Sequence, residues 1–118
     1  CGEATSEEEC VEEYVKLPES LFGSGAFYIL RARGDSMKDA GIHEKDLVVI
    51  QKQETAKVGD IVVALIGDNE NTLKRFGGLD EEGYAILEYQ NEEVYPEKII
   101  RVRDLIVQGV AKHVIKSL

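Results

Sequence analysis

The chain of 118 residues has no tryptophan, one methionine, two prolines, two histidines and two cysteines. Both cysteines, Cys1 and Cys10, sit in the acidic opening stretch "CGEATSEEECVE". That is no disulfide framework for a small secreted domain, so thiols in a reducing cytoplasm are expected. No apolar run reaches the roughly 18 to 20 residues of a membrane span, and no segment has the basic, apolar and small-residue order of a signal peptide. A soluble protein without a membrane partner is therefore expected, with no metal and no cofactor. Basic residues are also in short supply, 14 Lys and Arg against 23 Asp and Glu, for a formal charge of −9. A field of that sign repels phosphate, so any DNA contact is expected from sequence outside this domain.

What is present is enough chain for one domain with one core. The first dozen residues carry no sustained periodicity and read as an extended or mobile arm (1–12) ahead of a domain spanning 13–118. Short runs rich in β-branched and aromatic residues follow: "EYVKL", "AFYILRAR", "DLVVIQK", "GDIVVALIG", "NTLKRF", "YAILEYQ" and "DLIVQGVAKHVI". Gly, Asp, Asn and Pro punctuate them, as expected between strands, and the fold class is mostly β. Helical turns are expected only at "PESLFG" and "SMKDAG". The last run alternates apolar and polar residues at the chain end, which predicts an exposed edge strand covered by a two-fold partner.

One stretch asks for a chemical explanation. In "RARGDSMKDAGI", Ser36 stands between charged residues just after the apolar run "AFYIL". A surface turn accounts for Gly34 and Asp35. A serine hydroxyl is a weak nucleophile and needs a base. His43 lies in the polar turn "GIHEKD" and His113 in the last run, both read as ordinary surface or edge residues. The other solution is a lysine that has lost its proton. Lys74 in "NTLKRF" is flanked by Leu73 and Phe76, near the apolar strand "IVVALI". Strand alternation places Thr72 on its face, where the hydroxyl can orient the amine. On composition alone, a solvated surface lysine explains Lys74 equally simply.

"GDSMKDAGIHEKDLVVI" and "GDIVVALIGDNENTLKRF" resemble the self-cleaving serine–lysine peptidase domain of the LexA, UmuD and phage repressor family, the peptidase S24-like group. That family joins a Gly-x-Ser-Met turn, here Gly34, Ser36 and Met37, to a Thr-x-Lys-Arg strand roughly forty residues later. Lys74 stands 38 positions after Ser36. The resemblance implies coiled antiparallel sheets of the β-clip type shared with signal peptidase. It also implies that Ser36 is the nucleophile and Lys74 its base, and that the backbone N–H groups of Asp35 and Ser36 are the oxyanion donors. Family members cut their own chain between a small residue and glycine, and Gly2 of the Cys1–Gly2 pair stands 34 positions before Ser36. A lysine with the reference pKa of about 10.4 is neutral in only about one molecule in a few thousand at pH 7. Burial, completed by the docked arm, is expected to supply the roughly 4 to 5 kcal/mol that a base working near neutrality requires.

The partners so implied are a second copy through the C-terminal strand, a RecA filament on single-stranded DNA as coprotease, and operator DNA through an upstream domain. The leading reading is the C-terminal domain of a LexA-type repressor of the DNA-damage response. A UmuD-like polymerase subunit, a phage repressor and a dimerisation module with a dead site are the alternatives. Two departures from the family pattern stand out. Lys45 occupies a turn position where the family has glycine, and "GDNEN" is about one residue long for the hairpin before Thr72.

Overall fold

The computed structural model describes residues 9–67 and 70–118. The elements run β1 (Glu9–Val15), α1 (Glu19–Phe22), β2 (Phe27–Ala32), a 3₁₀ turn (Lys38–Ala40), β3 (Leu47–Gln51), β4 (Ile61–Ile66), β5 (Glu70–Leu79), β6 (Ala85–Glu88), β7 (Ile99–Val102) and β8 (Ile106–Ile115). Every strand pairing is antiparallel, in the order β1-β2-β3-β8-β4-β5-β6-β7. The mostly β, coiled antiparallel architecture expected from the sequence is the one observed. Both expected helical turns are present, and β1 begins inside the stretch read as an arm. Strand β7 was not anticipated. Among the described residues, no helix is long and apolar enough to cross a membrane.

Alternation along β4 builds the core on both faces of the sheet. Val63 joins a cluster with Tyr28, Leu30, Met37, Ile42, Val48, Ile50 and Leu73, whereas Val62 and Ala64 pack with Leu87 and Val110. Strand β5 repeats the division, because it pairs with β4 without a register shift from Ile61↔Arg75 to Ile66↔Glu70. Lys74 is thereby opposite Val62, Thr72 is opposite Ala64, and Leu73 is opposite Val63. No bulge interrupts the pairing of these strands, and residues 68 and 69 of "GDNEN" lie outside the described residues.

Among the described residues, the half of β8 beyond Val110 pairs with β3 alone and is exposed from Lys112 to Ile115, as expected of an edge, but the expected place of the strand at the border of the sheet is corrected. β8 lies in the middle of the sheet order, pairing Val110–Ile115 with β3 and Ile106–Val110 with β4. Alternation identifies a half-buried strand but carries no information on which neighbours it finds. Gly109 permits this passage: a Cβ there would lie 2.4 Å from Ile50 Cγ2 and 2.8 Å from the Gln51 carbonyl oxygen. The backbones approach more closely than any other residue allows.

Lys45 has φ 76°, the left-handed conformation that makes glycine usual at such a place. Its N–H donates to the Ala32 carbonyl at 2.8 Å, and Ala32 N–H donates to the Asp46 carbonyl at 2.8 Å. These bonds clamp the end of β2, from which the serine turn departs, to the turn before β3.

Candidate active site

Ser36 sits between β2 and the 3₁₀ turn. Gly34 gives the chain its change of direction at φ 76°, and nothing lies within 4 Å of a Cβ built there. Its requirement for glycine is therefore conformational, not steric. Met37, 3% exposed, drives its side chain into the core beside Ile42 and Leu73 and anchors the turn from below. Ser36 itself is half-buried and Asp35 is exposed.

Lys74 is 0% exposed. Its amine lies 2.6 Å from the Thr72 hydroxyl oxygen and 4.7 Å from the centroid of the Tyr89 ring. The same-face pairing of Thr72 with Lys74 expected from alternation is observed. A charged group removed from water is costly unless hydrogen-bonded, and the hydroxyl and the ring face both offer negative potential to the amine. Tyr89 is held in turn by Tyr95, with ring centroids 4.8 Å apart, and by Lys98, 4.7 Å over its ring.

Ser36 and Lys74, far apart in sequence, are held on the consecutive residues Tyr89 and Gln90. Tyr89 lies under the lysine amine, while Gln90 N–H donates to the Ser36 carbonyl at 2.7 Å and the Gln90 carbonyl accepts from Asp39 N–H at 2.6 Å. The Asp35 carbonyl accepts from Asn91 Nδ2 at 2.8 Å and from Lys38 N–H at 3.2 Å. A pocket of about 10 Å³ lies beside Ser36, lined also by Gly34, Met37, Ile42 and Leu73. That is room for roughly one water or a methyl-sized group. A shallow groove of about 410 Å³ continues past Arg31, Arg33, Glu44 and Lys45.

Neither histidine joins this arrangement. The exposed His43 ring lies 3.8 Å from Asp46 and 3.2 Å from the Lys116 amine, and His113 meets Phe22 edge-to-face at 4.8 Å. Among the described residues, no group of three or more His, Cys, Asp and Glu side chains comes together as a metal site. The expected scissile pair, Cys1 and Gly2, lies outside the described residues. Sequence reasoning missed Tyr89, Gln90 and Asn91. Their run "EYQNEE" has no spacing tied to Ser36 or Lys74, and only its juxtaposition of aromatic and amide residues hints at more than a loop.

A family model described as Peptidase S24-like matches residues 1–112. The LexA repressor of Halalkalibacterium halodurans is 46% identical over 88 residues, covering 75% of this chain and 42% of that protein. The LexA repressor of Caldicellulosiruptor saccharolyticus is 40% identical over 108 residues, 92% of this chain and 50% of that one. The LexA repressor of Shewanella frigidimarina is 37% identical over 118 residues, 98% of this chain and 56% of that one. The chain spans about half the length of the curated relatives it matches.

Proposed function

The chain belongs to the Peptidase S24-like family, and from that premise we propose that it is the self-cleavage and dimerisation part of a LexA-type repressor. The observation that carries the reading is the fully buried Lys74, with Thr72 on its amine and Tyr89 beneath it, one residue from the Gln90 that grips Ser36. A lysine meant for solvation has no reason to be there.

The neutral Lys74 amine takes the proton from Ser36 Oγ as that oxygen bonds to the Cys1 carbonyl carbon. Negative charge on the former carbonyl oxygen is met by backbone N–H groups at Asp35 and Ser36. As the intermediate collapses, the Lys74 ammonium passes its proton to the Gly2 nitrogen, which leaves as an amine and breaks the peptide bond. Water, deprotonated by the same amine, then hydrolyses the Cys1–Ser36 ester. The pocket beside Ser36 has room only for a small side chain, consistent with cysteine preceding the cut. Because the substrate is tethered, docking of the arm replaces a bimolecular encounter. A RecA filament on single-stranded DNA acts by favouring the docked state and adds no catalytic group. Operator DNA is bound by a part of the protein outside these residues. The dimer forms on the half of β8 beyond Val110, where β3 occupies one side and Val114 and Ile115 are exposed.

The test is unassisted cleavage in the full-length protein. Ser36→Ala and Lys74→Met each abolish it. The second leaves thermal stability unchanged or raised, because an apolar side chain of similar volume replaces a buried amine. The wild-type rate climbs with pH well beyond neutrality, whereas an imidazole base levels off near 6.5 to 7. A plateau by about pH 7.5, or undiminished cutting by Lys74→Met, overturns the assignment.

A further inference from the structure

Among the described residues, the buried polar side chains at this site are Thr72, Lys74 and Asn91, and the first two bond to each other. Asn91 is 1% exposed. Its Nδ2 donates to the Asp35 carbonyl at 2.8 Å, its Oδ1 accepts the Val94 N–H at 3.2 Å, and its own carbonyl accepts the Tyr95 N–H at 2.8 Å. One side of the residue thus closes the turn 91–95, which sets Tyr95 against Tyr89 beneath Lys74. The other side grips the peptide group immediately before Ser36.

A trans peptide is planar, and its C=O and N–H point in opposite directions. Fixing the Asp35 carbonyl on Asn91 therefore fixes the Ser36 N–H pointing away from Asn91. The next peptide is pinned likewise, because the Ser36 carbonyl accepts from Gln90 N–H at 2.7 Å. Among the described residues, no hydrogen bond takes up the Ser36 N–H or its hydroxyl. Both remain available to a substrate, and the N–H is aimed by the Asp35–Ser36 peptide.

We propose that Asn91 is a positioning residue: its side-chain amide orients the Asp35–Ser36 peptide so that the Ser36 N–H meets the oxygen on which negative charge develops. The inference rests on the self-cleavage reading above. It extends that reading by giving the serine turn a specific holder from a distant loop. A donor held in advance contributes most when charge develops on its partner, and a displacement of about 1 Å costs about a hundredfold in rate.

The experiment compares Asn91→Asp, Asn91→Ala and Ser36→Ala in the full-length protein by first-order cleavage across the pH range. The aspartate keeps the shape and the acceptor for the Val94 N–H, but as a carboxylate it has no hydrogen to give the Asp35 carbonyl. Both Asn91 variants are expected to cut roughly a hundredfold more slowly, with the loss persisting to the most alkaline pH measured. Asn91→Asp cutting at the wild-type rate shows that only the turn cap matters and overturns the proposal. A loss that disappears at high pH also overturns it, by placing the effect on the base. Cleavage that survives Ser36→Ala refutes the self-cleavage reading instead, so the two failures are distinct. Hydrogen exchange in the wild-type protein covers the case in which the variants do not fold. One Asn91 side-chain amide proton is protected if the bond to Asp35 persists, and a rapidly exchanging pair contradicts the proposal.

Discussion

Lys45 adopts at φ 76° a conformation in which its Cβ crowds the backbone, and its side chain is exposed with no compensating burial. The conformation persists because Lys45 N–H bonds to Ala32 and its carbonyl accepts from Arg31 Nη1 at 3.2 Å. Backbone atoms at Lys45 make both bonds, so glycine retains them. Lys45→Gly is expected to raise stability by about 1 kcal/mol, the left-handed penalty less part of the entropy glycine returns to the unfolded chain. Denaturant unfolding measures it, and a loss of stability contradicts the argument. Gly34 is the reverse case, with the same φ already held by the residue suited to it. Gly34 is legible as a turn residue by its type, and Lys45 by the glycine that the resembling family has at its position. Nothing local disclosed Asn91, whose partner Asp35 is 56 residues away.

Strands β3 and β8 are joined at their ends by Asp46, just before β3, and Lys116, just after β8. Partial desolvation pushes the Asp46 carboxyl up, but the hydrogen bonds from Lys116 and the His43 N–H, with the Lys116 charge, outweigh it and hold it below its usual value. The unfolded chain therefore binds this proton more readily than the folded one. The link's contribution is complete above the unfolded value of about 3.8 and is lost as pH falls below it through the lower folded value. Asp46→Asn is expected to lower stability at neutral pH and to flatten the acid limb of the stability curve. Unfolding midpoints measured from about pH 6 to about pH 2.5 check this, and an unchanged acid limb contradicts it. A comparable link, Arg101 to Asp80 at 2.7 Å, fastens β7 to the turn between β5 and β6. β7 escaped the sequence reading because Ile99–Val102 is only four residues long, with Ile99 and Arg101 exposed. So short a run shows little periodicity before its pairing with β6 is known.

The whole molecule depends on β8 more than its place at the end of the sequence suggests. It alone lies between β3 and β4, and its Val110 is 2% exposed. Deleting residues from Asp104 onward is expected to abolish cooperative unfolding, because the inner edges of both neighbours and the second core cluster open to water. Loss of an edge strand would instead leave a folded remainder. Circular dichroism during heating separates the outcomes, and a sharp transition in the truncated chain refutes the central role of β8.

From the sequence alone came the β class, the turn at Ser36 and the shared face of Thr72 and Lys74, which follow from periodicity and from the residue types that turns favour. The pairing of Ser36 with Lys74 and the glycine-type turn at Lys45 came from the family resemblance. Tertiary structure alone decided that the last strand bridges β3 and β4, that a four-residue strand closes the far edge, and that residues 89–91 hold the two halves of the site together. Those outcomes depend on which strand edges meet and which carbonyl lies within reach of a buried amide. Such pairings are made between residues dozens of positions apart, and no local pattern records them.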